Sequence, residues 1–207
     1  NLDLPSLEIT PEKIDIQGNG VIGIFGGSIV LTNFQVTKPF AESRRISLDV
    51  AINEIDLKKV TDAVPFGEVT GIVSGVVTGL SFAYGQPESF YFRLETVPRR
   101  GVPKTFSLKA VDNLTIISSG ETASVGSSAP FWMRFVRGFR YSKLGIVSSL
   151  RNDTFTLNGT IKDGGVEYLV KKPPFFGINV INRMPDKRIS FKEMMDRLGR
   201  VGRSESP

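Results

Sequence analysis

The sequence contains no cysteine and no histidine. Without cysteine there is neither a disulfide nor a thiolate ligand, and without histidine the usual general base and the commonest side-chain metal ligand are missing. Triad hydrolysis and His- or Cys-ligated zinc chemistry lose their central residues, so the chain is read as non-enzymatic, with no catalytic residue, metal or soluble cofactor expected. Tryptophan occurs once, at Trp132, which leaves little for the aromatic platforms of a carbohydrate site. Long hydrophobic runs are absent too. The longest, Val69 to Ala83, is broken by glycine, serine and threonine and falls short of the ~20 apolar residues of a spanning helix. Neither an initiator Met nor a charged-then-apolar leader precedes Asn1-Leu2-Asp3-Leu4-Pro5, so the chain is read as a piece of a larger protein.

What remains is ordinary globular material: 207 residues, 40% hydrophobic and 23% charged, with 21 glycines and 12 prolines to break short elements. One domain over 1–207 is favoured. The net charge of +5 is compatible with an anionic membrane surface and too small to point to nucleic acid, which is not expected as a partner.

Period-two alternation dominates from Ile14 to about Val111 and predicts strands. Ile46, Leu48, Val50 and Ile52 make one apolar face; so do Ile72, Val76, Leu80 and Phe82, then Phe90, Phe92 and Leu94, then Phe106, Leu108 and Ala110. Alternation returns at Leu144–Ile146, Phe155–Ile161 and Val166–Val170, the last two joined as a hairpin by Asp163-Gly164-Gly165. Helices are predicted after an Asp56 N-cap up to Pro65, from Pro130 with Phe131, Phe135 and Phe139 four apart, and from Ser190. Residues 118–128, rich in Ser and Gly, read as a flexible linker.

The expected fold is thus mostly β: an extended, curved antiparallel sheet, a groove or taco-like half-barrel, with two or three short helices. The C-terminal helix, 190–201, opens with the capping box Ser190-Phe191-Lys192-Glu193 and lines up Phe191, Met194, Met195, Leu198 and Val201. Phe191, Met194, Met195 and Leu198, with Arg197 and Arg200, are its candidate contacts to a membrane surface or a partner; packing on the sheet is the bland alternative.

Four motifs have weaker claims. Gly18-Asn19-Gly20-Val21-Ile22-Gly23 matches a dinucleotide fingerprint, but the β-rich run after it supplies no helix, and Asn19-Gly20 is better read as a hairpin turn. Asn113, Asn152 and Asn158 sit in glycosylation sequons, which ordinary turn and strand usage also produces. Arg137-Gly138-Phe139-Arg140-Tyr141 only begins like an RNA-binding strand motif. The carboxylates from Asp49 to Glu95 are scattered and read as solvated.

Ile46 to Ile52, then Ile55-Asp56-Leu57-Lys58-Lys59-Val60, then Gly67, Gly71, Gly75 and Gly79 before Leu80, form a strand, a short helix and a glycine-spaced strand. This arrangement resembles the AsmA, TamB and YdbH group of bacterial bridge-like lipid-transfer proteins. The resemblance implies a curled antiparallel sheet whose apolar groove carries phospholipid acyl chains across the periplasm, in support of outer-membrane lipid homeostasis. It implies a parent anchored in the inner membrane and reaching the outer membrane, where an outer-membrane protein or lipoprotein would be met. Val50, Ile52, Ile72, Val76, Leu80, Phe82, Phe90, Phe92 and Leu94 would then contact lipid, with Arg99, Arg100, Lys171 and Lys172 steering phosphates. The rival reading is a structural β module of an envelope assembly that joins partners by strand addition.

Overall fold

The computed structural model describes residues 2–119, 138–182 and 187–201. Strands β1 (Leu2–Ile9), β2 (Lys13–Ile24), β3 (Gly27–Thr37) and β4 (Arg45–Asp56) run into helix α1 (Leu57–Asp62), and β5 (Ile72–Ala83) and β6 (Gln86–Val97) follow. Next come β7 (Thr105–Phe106), α2 (Leu108–Ser119), β8 (Phe139–Arg140), β9 (Lys143–Arg151), β10 (Thr154–Gly159), β11 (Ile161–Asp163), β12 (Val166–Lys171), β13 (Val180–Ile181), β14 (Arg188–Ser190) and α3 (Phe191–Arg200). One antiparallel sheet has the order β1-β2-β3-β4-β5-β6-β9-β10-β14, with β12 also paired to β9, β11 and β13, and it does not close on itself.

Four connections in this meander are two-residue turns with both central residues at positive φ: Phe25-Gly26, Tyr84-Gly85, Asn152-Asp153 and Gly164-Gly165. That is the type I′ geometry whose twist suits antiparallel neighbours. The predicted turn at Asn19-Gly20 is not one of them. Asn19 pairs with Asp3 on one side and Thr32 on the other, and β2 runs straight through to turn at Phe25-Gly26.

α1 starts where expected: the Asp56 carboxylate accepts from Lys58 N at 2.9 Å, and the helix ends at Asp62, short of Pro65. Of Phe106, Leu108 and Ala110, expected to share a strand face, only Phe106 lies in a strand, β7, while Leu108 and Ala110 belong to α2. The helix wins because Ala110, Val111 and Leu114 share one face and bury together, a spacing a strand cannot satisfy. Ser118 and Ser119 belong to α2, so the expected linker does not begin there, and 120–128 lies outside the described residues. The predicted helix from Pro130 also lies outside them up to residue 137, and its last repeat position, Phe139, is in strand β8.

The buried core lies at one end of the sheet. Ile55, Val73, Leu144, Leu150, Phe155 and Leu157 pack there with Ala110, Val111 and Leu114 of α2 and Met194 of α3. Tyr141, 2% exposed, tilts against Phe106 at 4.8 Å between centroids and donates its hydroxyl to Thr70 O at 2.7 Å. Burial pushes that hydroxyl's pKa up, and the phenol cannot serve as a stacking platform for bases.

Candidate functional site

A row of β-bulges crosses β1 to β6 and sets the two faces of the sheet. The register slips between Asp3 and Ser6, between Ile16 and Asn19, between Thr32 and Gln35, and on β5 around Gly79 against both neighbours. Three of these sites hold a residue at positive φ, namely Gly18, Asn33 and Gly79. Asp49, on the intervening strand, ties the row together: its carboxylate accepts from Gly79 N and from Asn33 Nδ2, each at 2.7 Å. Bulges bend a strand and increase its twist, and a row of them curves the sheet along one line.

Directly paired residues in a ladder point to the same side, so the register fixes which side chains share a face. Val36, Ile46 and Phe82 lie in one transverse row, and Leu31, Val50, Val77 and Phe92 in another. Ile14, Ile16 and Ile22 continue this apolar face across β2, and Leu7 and Ile9 across β1. The other face carries Asp15, Gln35, Ser47, Asp49, Arg93 and Glu95, the apolar-in, polar-out division of a sheet with one wet side. Its ion pairs include Lys13 with Asp15 and Arg93 with Glu95. The Thr160 hydroxyl, then Arg93, hold the Glu95 carboxyl below its ordinary value.

Where α2 and α3 sit, the apolar face is a closed core. Over β1 to β4 and the adjoining parts of β5 and β6 it is not: Leu31, Phe34, Val36, Leu48, Val50, Leu80, Phe82 and Phe92 are only half-buried, and Leu7, Ile9 and Ile22 are exposed. Among the described residues no helix covers this region.

Of the nine residues expected to face lipid, the sheet brings seven to this side: Val50, Ile52, Leu80, Phe82, Phe90, Phe92 and Leu94. Ile52, Phe90 and Leu94 adjoin the closed core, and Phe90 meets Phe155 edge-on at 6.3 Å. Ile72 and Val76 point the other way. Ile72 pairs with Asp56 and Val97, and Val76 with Ala51 and Arg93, on the polar face. The extra residue at Gly79 shifts the phase of β5, so the apolar side is carried by Val73 and Val77 before the bulge and by Leu80 and Phe82 after it. The alternation of β1 to β3 was the signal for the remaining residues of the face.

No protein-family model, curated protein or solved structure matches this chain. The geometry alone therefore carries the functional argument.

On α3 the Ser190 hydroxyl accepts from Glu193 N at 3.1 Å, the expected cap. Arg197, expected at a membrane or partner surface, is instead 6% exposed, donating to Ile117 O at 3.2 Å and to Glu193 Oε1 at 2.9 Å. Met194 is buried and Phe191 packs against the core, leaving Met195, Leu198 and Arg200 outward. Packing thus takes three of the six residues expected on that face and leaves three outward. Of the basic residues expected to steer phosphates, Arg99 pairs with Glu54 and Lys171 with Asp163. Asn113 is 1% exposed with its side-chain nitrogen donating to Phe66 O, which rules it out as a glycan acceptor in the folded chain. Among the described residues no group of three or more carboxylates is placed to hold a metal ion.

Proposed function

We propose that this chain is a non-enzymatic binding surface for phospholipid acyl chains, forming in its parent protein part of a conduit for lipid across the periplasm. One observation carries the reading: the apolar face of β1 to β6 is continuous and has no described cover. Six strands about 4.8 Å apart make a strip ~24 Å across. Exposed apolar patches of more than a few hundred Å² mark interaction or ligand surfaces. The face is built of branched aliphatics and phenylalanine with no polar group to fix an orientation, which suits a ligand bound through methylenes at ~0.8 kcal/mol each. Headgroup selectivity is then weak.

Native mass spectrometry with lipid extraction, on protein purified from a bacterial envelope, tests this. Stoichiometric phospholipid, crosslinking to photoreactive residues at Val50 and Phe92, is the expected result. A folded, lipid-free protein would overturn it.

One observation favours the rival, strand addition: β1 pairs only with β2, and its other edge is unpaired among the described residues. Yet β1 carries Pro5 and a bulge between Asp3 and Ser6, both of which blunt an edge against further pairing. The acyl-chain reading stands first for that reason.

A further inference from the structure

Between β12 and β13 the chain reads Lys171-Lys172-Pro173-Pro174-Phe175-Phe176-Gly177. Phe175 and Phe176 are each 85% exposed, more than any other large hydrophobic side chain described. The loop that presents them is pinned at its base. Lys172 N donates to Asn179 Oδ1 at 2.9 Å and Ile178 N to Arg140 O at 3.2 Å. The Ser142 hydroxyl lies 2.9 and 3.0 Å from the carbonyl oxygens of Lys171 and Lys172. Gly177 is held at φ 152° against the Arg140 carbonyl, where a Cβ would come within 2.1 Å. The two rings are thus held out into water by fixed backbone.

Beside the loop lies a concavity of about 640 Å³ whose lining includes Lys143, Lys162, Lys171 and Lys172. Its one acidic side chain, Asp163, is paired with Lys171. Among the described residues no carboxylate forms an ion pair with Lys162 or Lys172. Adjacent aromatic rings next to ammonium groups match the boundary of a bilayer, where rings enter the acyl region and cations meet phosphates.

We propose that this loop docks the chain on an anionic phospholipid bilayer, with Phe175 and Phe176 inserted and Lys143, Lys162 and Lys172 against the lipid phosphates. The site is separate from the apolar sheet face and does not depend on acyl-chain carriage there.

Cosedimentation with vesicles of phosphatidylcholine, alone or mixed with phosphatidylglycerol, tests it. The chain is expected to bind the mixed vesicles, more weakly at high salt. The double change Phe175→Ser and Phe176→Ser lowers the partition on the order of tenfold or more without altering the melting temperature. Phe40→Ser, at the comparably exposed Phe40, leaves binding unchanged. Lys143→Gln, Lys162→Gln and Lys172→Gln together remove the preference for phosphatidylglycerol. As a second readout, Phe175→Trp in a Trp132→Phe background shifts its emission to the blue on mixed vesicles. Wild-type sedimentation of the double serine variant, or an unshifted tryptophan, overturns the proposal. A charge placed at Val50 abolishes co-purified lipid but not sedimentation, so failure of the sheet-face reading is distinguished from failure of this one.

Discussion

Asp49 illustrates how one side chain can shape a sheet. Its two carboxylate oxygens each take one hydrogen bond, from the Gly79 amide and from the Asn33 side chain, at neighbouring bulges. Asp49→Ala leaves both donors to water, and we expect a loss of about 1–3 kcal/mol. Asp49→Asn keeps an acceptor for the Gly79 amide and loses less. Urea unfolding checks both, with midpoints falling in that order. A second carboxyl behaves in the opposite sense. Burial raises the Asp112 pKa, and its Oδ1 is buried without a hydrogen-bond partner. The folded state therefore holds that proton more tightly than the unfolded state does. Its relative stability is full below the unfolded value of ~3.9 and is lost as pH rises through the raised folded value. Asp112→Asn should raise the melting temperature near neutral pH, and the gain should vanish in acid; a gain that persists in acid would point to packing instead.

Elements differed in how far their residues announced them. α1 and α3 were legible because each carries its own N-cap, Asp56 and Ser190, and capping is a local interaction. The hairpin at Gly164-Gly165 was legible for the same reason, since two glycines suit positive φ directly. Phe25-Gly26 and Tyr84-Gly85 were not, because an aromatic residue in the left-handed region is held there by its strands and gives no sign in the sequence. α2 was hidden because its first residues alternate, while Asn113, in its buried face, breaks the apolar stripe. α3 is also where sequence and tertiary structure diverge most usefully, since an arginine expected outside is the residue that locks the helix to α2 through Ile117. We expect Ser190→Ala to cost about 1 kcal/mol through the lost cap. Arg197→Ala should cost more, about 1–3 kcal/mol, through the lost carbonyl contact and the packing of its stem. Thermal melts of the two variants give the order, and equal, negligible shifts would show α3 to be loosely docked.

For the molecule as a whole, the decisive property is that one sheet face is closed at one end and uncovered at the other. Alternation alone identified the face on β4 and β6, but on β5 it assigned Val76 where the bulge at Gly79 puts Val77. These adjacent valines therefore make an internal control. Val76 is 36% exposed beside Ala51 and Arg93 on the polar side, whereas Val77 lies between Val50 and Phe92 on the apolar side. A carboxylate at position 76 meets water and an arginine, and Val76→Asp should fold and retain any bound phospholipid. Val77→Asp puts a charge on the uncovered strip, between Val50 and Phe92. Because that strip is half-exposed, the charge can stay hydrated while the protein is empty and becomes costly only when acyl chains cover it. The expected outcome is a folded Val77→Asp variant with little lipid by native mass spectrometry. If Val77→Asp instead fails to fold while Val76→Asp is normal, the strip is a buried core in the working protein. A segment or partner then covers it, and the acyl-chain reading falls.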